Sequence, residues 1–70
     1  MSKTIDARGL SCPQPVMLAL KAINEYNETV TVEVDHETAA ENVERACREK
    51  GRGTKIIKNP DSYSVEIVAK

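Results

Sequence analysis

Two prolines separated by a single residue, Pro13 and Pro15, fix where the first helix of this chain begins. Proline suits the first turn of a helix, because its N–H is not needed there and its fixed φ is helical, whereas an interior proline breaks the helix. We therefore expect Pro13 at the first helical position, Cys12 at the N-cap and Pro15 at the third helical position. A thiol at a helix N-terminus meets the positive end of the macrodipole and free amides, which lower its pKa. The pattern predicts a reactive Cys12 thiolate on a rigid corner, with the Gln14 N–H as its nearest backbone donor.

Three residues upstream of this cysteine are candidate supporting residues. Arg8 adds positive charge as a partner for a thiolate, a persulfide or another protein, and Asp6 positions either Arg8 or the following turn. Gly9 allows a turn with positive φ. Two simpler interpretations remain open: an Asp6–Arg8 ion pair that only fixes the loop, and an architectural corner in which the cysteine fills a small apolar space.

Hydrophobic periodicity predicts six elements in the order β-α-β-α-β-β. We expect a strand at 3–7, a helix at 13–26, a strand at 30–35, a helix ending at Gly51, and strands at 54–58 and 63–69. The expected core stripe of the first helix consists of Val16, Met17, Ala19, Leu20 and Ile23. Three valines at alternate positions, Val30, Val32 and Val34, indicate a strand with one buried face.

The second helix has two candidate caps, and the sequence does not choose between them. Asp35 is one, and the Thr38–Glu41 capping box is the other. Its expected buried face consists of Ala40, Val43 and Cys47. Gly51 is the expected left-handed stop, and Pro60 predicts a type I turn between the last two strands.

This order predicts a two-layer α/β sandwich, in which a mixed four-stranded sheet carries both helices on one face. The whole chain, 1–70, is expected to be one domain, without linker or repeat. The other face of the sheet then stays open, and Ile57 and Val68, out of step with their neighbours, are candidates for a docking or dimer contact there.

Charge and cysteine usage exclude several classes of protein. Ten basic and eleven acidic residues, spread along the chain, give a net charge of −1 and argue against a general nucleic-acid binder. The mild basic cluster of Arg52, Lys55 and Lys58 is interpreted as a solvated sheet edge. No apolar run approaches the ~20 residues of a membrane span, and two distant cysteines do not make a disulfide framework, so a reducing cytoplasm is expected.

The segment from Asp6 to Pro15, with Asp-x-x-Gly-x-x-Cys-Pro-x-Pro, resembles the TusA/SirA family of sulfur-carrier proteins. The resemblance implies that Cys12 receives sulfur as a persulfide from a cysteine desulfurase or another donor protein and hands it to an acceptor protein, without a cofactor. A second stretch, 35–43, is similar to the TusA-like domain of YedF, which is linked to selenium metabolism. The family's range also includes transfer RNA thiolation, and a monomer is expected.

Two other functions compete with a sulfur carrier. One is a regulatory or protein-interaction module without sulfur transfer, and the other is a small thiol redox protein that pairs Cys12 with Cys47. Cys47 lies on an apolar stripe and is expected to be buried and inert. A metal site would need Cys12, His36, Cys47 and a carboxylate to converge without any recognised ligand spacing, so His36 is interpreted as a surface residue near a cap.

Overall fold

The structure of the protein is a computed structural model that describes residues 2–10 and 13–68. It contains β1 (Ser2–Asp6), α1 (Gln14–Glu25), β2 (Thr29–Val34), α2 (Glu37–Glu49), β3 (Thr54–Lys58) and β4 (Tyr63–Ile67). The predicted element order is therefore confirmed, and most bounds differ by only one residue. Neither helix in the described ranges is long and apolar enough to cross a membrane.

The four strands form one mixed sheet in the order β1-β2-β4-β3. β1 runs parallel to β2, whereas β4 is antiparallel to both β2 and β3. The register places Ile5 opposite Val32, and Val65 between Val32 and Ile56. Because β2 and β4 are central, their alternate side chains supply the middle of the core.

The core lies between one face of this sheet and the two helices, as expected. The three alternating valines of β2 are fully buried, and so are Val65 and Ile67 of β4. The predicted face of α2 is confirmed, because Ala40, Val43 and Cys47 are all inaccessible to solvent. Full burial of one valine or isoleucine stabilises the fold by about 1.5–3 kcal/mol, so these strands carry much of the fold's stability.

The predicted core stripe of α1 needs correction. Its buried residues are Pro15, Ala19, Ala22 and Ile23, while Val16 and Leu20 are only half-buried. Met17 is 62% exposed, because it lies about 160° around the helix axis from Ala19 at 3.6 residues per turn. Ala19, Ala22 and Ile23 therefore face the core, while Val16 and Leu20 pack against it from a partly exposed position.

Both helix starts also differ from the prediction. α1 begins at Gln14, and Pro13 is its N-cap, because the Pro13 carbonyl accepts the first helical hydrogen bond from the Met17 N–H at 3.0 Å. Pro13 is therefore not the first helical residue, and Pro15 occupies the second helical position. α2 begins at Glu37 with His36 as the N-cap, and no side chain caps it, so neither Asp35 nor Thr38 has the predicted role.

The C-terminal end of α2 follows the prediction, whereas Arg52 does not. Gly51 has a φ of +84° and its N–H donates to the Arg48 carbonyl at 2.9 Å, which is a left-handed helix stop. The half-buried Arg52 does not join the solvated cluster, because its Nη2 donates to the Ile23 carbonyl at the end of α1, at 2.9 Å. Lys55 and Lys58 are exposed on the edge strand β3, as expected.

The hairpin between β3 and β4 is closed by a hydrogen bond from the Asn59 N–H to the Ser62 carbonyl at 2.9 Å. Neither Pro60 nor Asp61 has a positive φ, which excludes the type II and type I′ turns and agrees with the type I prediction.

The face of the sheet opposite the helices is mainly polar. Register places Thr31 beside Glu66, and Glu33 beside Ser64, on this open face. Its apolar residues are Ile57, which is half-buried, and Val68, which is 52% exposed. The open face therefore offers two separate apolar side chains rather than a continuous apolar surface.

Candidate functional site

The predicted motif lies in the connection between β1 and α1. Cys12, the predicted reactive residue, and Ser11 lie outside the described residues, whereas Leu10 before them and Pro13 after them are described. β1 and β2 are parallel, so this connection leaves the sheet beside the C-terminal end of β2; this end of the sheet is called the motif edge. The turn between β3 and β4 lies at the same edge, since β4 begins opposite Val34.

The described part of the loop that leads to the cysteine, residues 7–10, is held by a hydrogen bond from each of its four backbone amides. The Ala7 N–H donates to the Glu33 carbonyl at 2.8 Å, which extends the pairing of β1 with β2 by one residue. The Leu10 N–H donates to the Ala7 carbonyl at 3.4 Å, and the amides of Arg8 and Gly9 donate to carboxylates. Because each of these amides has a hydrogen-bond partner, the backbone of residues 7–10 has little conformational freedom.

Asp6 and Arg8, two predicted supporting residues, form a local ion pair. The Asp6 carboxylate accepts from the Arg8 Nε at 2.9 Å and Nη2 at 3.1 Å, and also from the Arg8 backbone N–H at 3.0 Å. These bonds lower the pKa of Asp6 to about 2 from its ordinary 3.8, the side-chain bond contributing most. Asp6 therefore positions Arg8, and their charges compensate each other at neutral pH.

Gly9 has a φ of +80°, as predicted for this turn. A Cβ there would lie more than 4 Å from any contacting atom of the described residues, so the positive φ is what favours glycine. The Gly9 N–H donates to Oδ2 of Asp35, the first residue after β2. From the sequence, Asp35 was predicted only as a possible helix cap. The signal that places it near this loop is the parallel pairing of β1 and β2, because the C-terminal ends of parallel strands lie side by side.

The helix start behind the motif presents backbone donors and no acidic side chain. The first four N–H groups of a helix lack carbonyl partners inside it, and Pro15 has no N–H, so Gln14 and Val16 supply the early donors. No side chain caps α1, and its first turn contains no Asp or Glu. Cys12 precedes the N-cap by one residue rather than being the N-cap, yet the positive end of the macrodipole still follows it directly in the chain.

An exposed apolar groove is lined by residues that precede and follow the cysteine in the sequence. It has a volume of about 400 Å³ and is lined by Leu10, Gln14, Met17, Leu18 and Lys21. Leu10 is 41% exposed, and Met17 is the most exposed large apolar side chain among the described residues. Sequence periodicity missed this surface because it assigned Met17 to the core.

The second thiol is remote from solvent. Cys47 is fully buried in the core, as predicted, and burial raises the pKa of its thiol, although the Arg52 guanidinium acts in the opposite direction. His36 is exposed, also as predicted. Among residues 2–10 and 13–68, no group of three or more His, Cys, Asp or Glu side chains could hold a metal ion.

The two-layer α/β fold, with both helices on one face of a mixed four-stranded sheet, is shared with known proteins. The family model described as sulfurtransferase TusA matches residues 3–69 of this chain. The chain belongs to this family.

Two relatives agree with this assignment. The crystal structure of a SirA-like protein from Desulfitobacterium hafniense has a TM-score of 0.87 and 37% sequence identity, and the match covers 99% of this chain and 97% of the other. A protein of Methanocaldococcus jannaschii that is provisionally named a sulfur carrier protein is 34% identical over 70 aligned positions, and the match covers 97% of this chain and 93% of the relative.

Proposed function

We propose that this protein is a sulfur carrier that relays persulfide sulfur on Cys12 from a donor protein to an acceptor protein. The observation that carries the proposal is the exposed apolar groove, which involves Leu10 before the cysteine and Gln14 after it. An open apolar surface lined by residues that flank a thiol in the sequence suits a handover between two proteins, whereas an enzyme for a small molecule would enclose its substrate. Family membership and the relative named a sulfur carrier support the same function.

The proposed transfer consists of two thiolate displacements. The Cys12 thiolate attacks the outer sulfur of the donor's persulfide, a new S–S bond forms on Cys12, and the donor's S–S bond breaks to release the donor thiolate. An acceptor thiolate then attacks the outer sulfur of the Cys12 persulfide, and Cys12 leaves as the thiolate. Each step moves one sulfur atom with no net oxidation, and no cofactor takes part.

The electrostatics of the α1 N-terminus support a thiolate at Cys12. The macrodipole and the Gln14 and Val16 amides favour negative charge there, and no acidic side chain in the first turn opposes them. Asp6, the nearest carboxylate upstream in the chain, is compensated by Arg8. Asp6, Arg8, Gly9, Pro13 and Pro15 then shape the corner, while Cys12 alone reacts.

A cysteine desulfurase or another persulfide-bearing protein is the proposed donor, and the acceptor is a second protein rather than a nucleic acid. The stretch similar to YedF favours selenium or sulfur metabolism over transfer RNA thiolation. We propose that the carrier acts in the cytoplasm and as a monomer, because a shared thiol must remain open to both partners.

The competing thiol redox function has less support. It requires Cys47 to form a disulfide with Cys12, but Cys47 is inaccessible to solvent and its raised pKa disfavours the thiolate that disulfide exchange needs. The groove is equally compatible with a protein-interaction module that transfers no sulfur. The following experiment distinguishes that module from the carrier.

The test is intact mass spectrometry after incubation with a cysteine desulfurase and cysteine. Wild type is expected to gain about 32 Da, one sulfur atom, and to lose it on addition of a thiol reductant. Cys12→Ser is expected to show no gain with an unchanged far-UV spectrum, and Cys47→Ala, the matched control, is expected to load normally. No adduct on wild type contradicts the carrier and favours the interaction module; an adduct on Cys12→Ser reassigns the reactive cysteine.

A further inference from the structure

The four amides that hold the motif loop differ in where their acceptors come from. The acceptor atoms for Arg8 and Leu10 belong to the loop or to the end of β1, and Ala7 bonds to the adjacent strand. Gly9 alone among them is held by a side chain from a distant part of the sequence, because Asp35 is 26 residues away. This bond therefore joins the loop of the motif to the corner between β2 and α2.

The position of Asp35 follows from the parallel pairing of β1 with β2. Glu33 accepts the last inter-strand bond from Ala7, so Asp35 stands two residues further along, as Gly9 stands two residues beyond Ala7. The carboxylate has no competing use as a cap, since no side chain caps α2. A hydrogen bond to a carboxylate is shorter and stronger than one between neutral groups, so a single side chain holds this turn effectively.

We infer that Asp35 is a positioning residue for sulfur transfer at Cys12: its carboxylate fixes the Gly9 turn and hence the direction from which the chain approaches the cysteine. This inference rests on the proposed carrier function. Gly9 is three residues from Cys12 and its positive φ sets the course of the chain at that point. Without the bond, Gly9 loses its contact with the corner between β2 and α2, and the backbone of residues 8–10 samples more conformations.

The inference distinguishes two kinds of reaction at Cys12. A protein donor must align its persulfide with the Cys12 sulfur, and a displacement of 1 Å at a reacting centre costs on the order of 100-fold in rate. A small alkylating reagent approaches from any open direction, so its rate depends on the thiolate and much less on the course of the loop. Loss of Asp35 should therefore slow loading from a protein and leave alkylation nearly unchanged.

The experiment compares Asp35→Ala, Asp35→Asn and the control Glu49→Ala, which removes an exposed carboxylate from the opposite end of α2. We measure sulfur loading from a cysteine desulfurase, alkylation by iodoacetamide and amide exchange at Gly9. Asp35→Ala is expected to load at least about tenfold more slowly, to exchange the Gly9 amide about tenfold faster and to alkylate within about threefold of wild type. Asp35→Asn keeps an oxygen acceptor and is expected to recover most of both losses.

Several outcomes overturn the inference. They are wild-type loading by Asp35→Ala, equal slowing in Asp35→Asn and Asp35→Ala, and equal slowing in Glu49→Ala. If Asp35→Ala does not fold, Asp35→Asn and the wild-type Gly9 amide decide the matter, because an unprotected Gly9 amide in wild type contradicts the bond itself. If wild type takes up sulfur and Asp35→Ala loads just as fast, the carrier function stands and only the inference about Asp35 fails. If wild type takes up no sulfur, both fail.

Discussion

At the scale of single residues, Asp6 and Arg8 show how an exposed pair acquires a fixed geometry. An isolated surface ion pair contributes little to stability, but here the backbone N–H of Arg8 also donates to the same carboxylate, so side chain and turn support each other. Two of the guanidinium nitrogens of Arg8, Nε and Nη2, donate to the Asp6 carboxylate. The orientation of the Arg8 side chain is therefore set by the loop to which it belongs.

The first prediction concerns the pH range over which this pair persists. Because the folded pKa of Asp6 is about 2 and its ordinary value is 3.8, the pair's contribution to stability is complete above pH 3.8 and is lost as the pH falls through about 2. Carboxyl NMR titration should place Asp6 near 2. Arg8→Gln should move the Asp6 pKa upward but not fully to 3.8, since the backbone N–H of residue 8 still donates.

Arg45→Gln is the control for this titration, since Arg45 is exposed on α2 and removes the same charge elsewhere. It should leave the Asp6 pKa where it is in wild type. A wild-type Asp6 that titrates at its ordinary value would contradict the described ion pair.

At the scale of elements, the two helices are connected by Arg52. Its backbone N–H donates to the Cys47 carbonyl at 3.1 Å, near the end of α2, and its guanidinium reaches the Ile23 carbonyl in the last turn of α1. The guanidinium supplies a donor to a carbonyl in the last turn of α1 and places positive charge at the negative end of that helix's macrodipole. Arg52 therefore holds together the ends of the helices that lie far from the motif.

The second prediction follows from this contact. Arg52→Gln should lower the free energy of unfolding by about 1.5–3 kcal/mol, the usual contribution of a hydrogen bond to a charged group. Arg45→Gln should stay within about 0.5 kcal/mol of wild type, as exposed substitutions usually do. Urea denaturation measures both. Equal stability of the two variants would show that the Arg52 contact does not contribute to folding.

At the scale of the whole molecule, the sheet topology places three connections at the same end of the sheet as the motif. The β1–α1 connection, the β2–α2 corner and the β3–β4 turn all lie there, because β1 and β2 are parallel and β4 begins opposite the end of β2. The Arg52 contact lies at the ends of the helices away from this edge. The Arg52 contact and the proposed site of chemistry thus lie at opposite ends of the helices, and the groove lies near the start of α1.

The third prediction tests whether this groove receives the donor. Met17→Ser should raise the desulfurase concentration needed for half-maximal loading about tenfold, as expected when an apolar contact worth about 1.4 kcal/mol is lost. Alkylation of Cys12 and the melting temperature should not change, since Met17 is exposed. Steady-state loading assays give this concentration for each variant.

Val68→Ser is the matched control, because Val68 is similarly exposed but belongs to the open face of the sheet. It should load like wild type. If Val68→Ser is impaired and Met17→Ser is not, the open face rather than the groove receives the donor.

The sequence by itself determined the element order, the two-layer fold and the roles that depend on local rules. The alternating valines of β2, the α2 stripe of Ala40, Val43 and Cys47, and the left-handed glycines at 9 and 51 were predicted because periodicity and backbone sterics act over a few residues. The motif and its resemblance to the family also belong to the sequence, since they consist of adjacent residues.

Only the tertiary structure decided which side of α1 faces the sheet, which carboxylate holds the motif loop and which arginine contacts the end of α1. Met17, Asp35 and Arg52 were assigned differently from the sequence, because each depends on a neighbour that is distant in the chain. The pairing of β1 with β2 brings Asp35 to Gly9, and the packing of α1 on the sheet turns Met17 outward. Such contacts depend on how the elements pack against one another, and a pattern of a few neighbouring residues does not specify that packing.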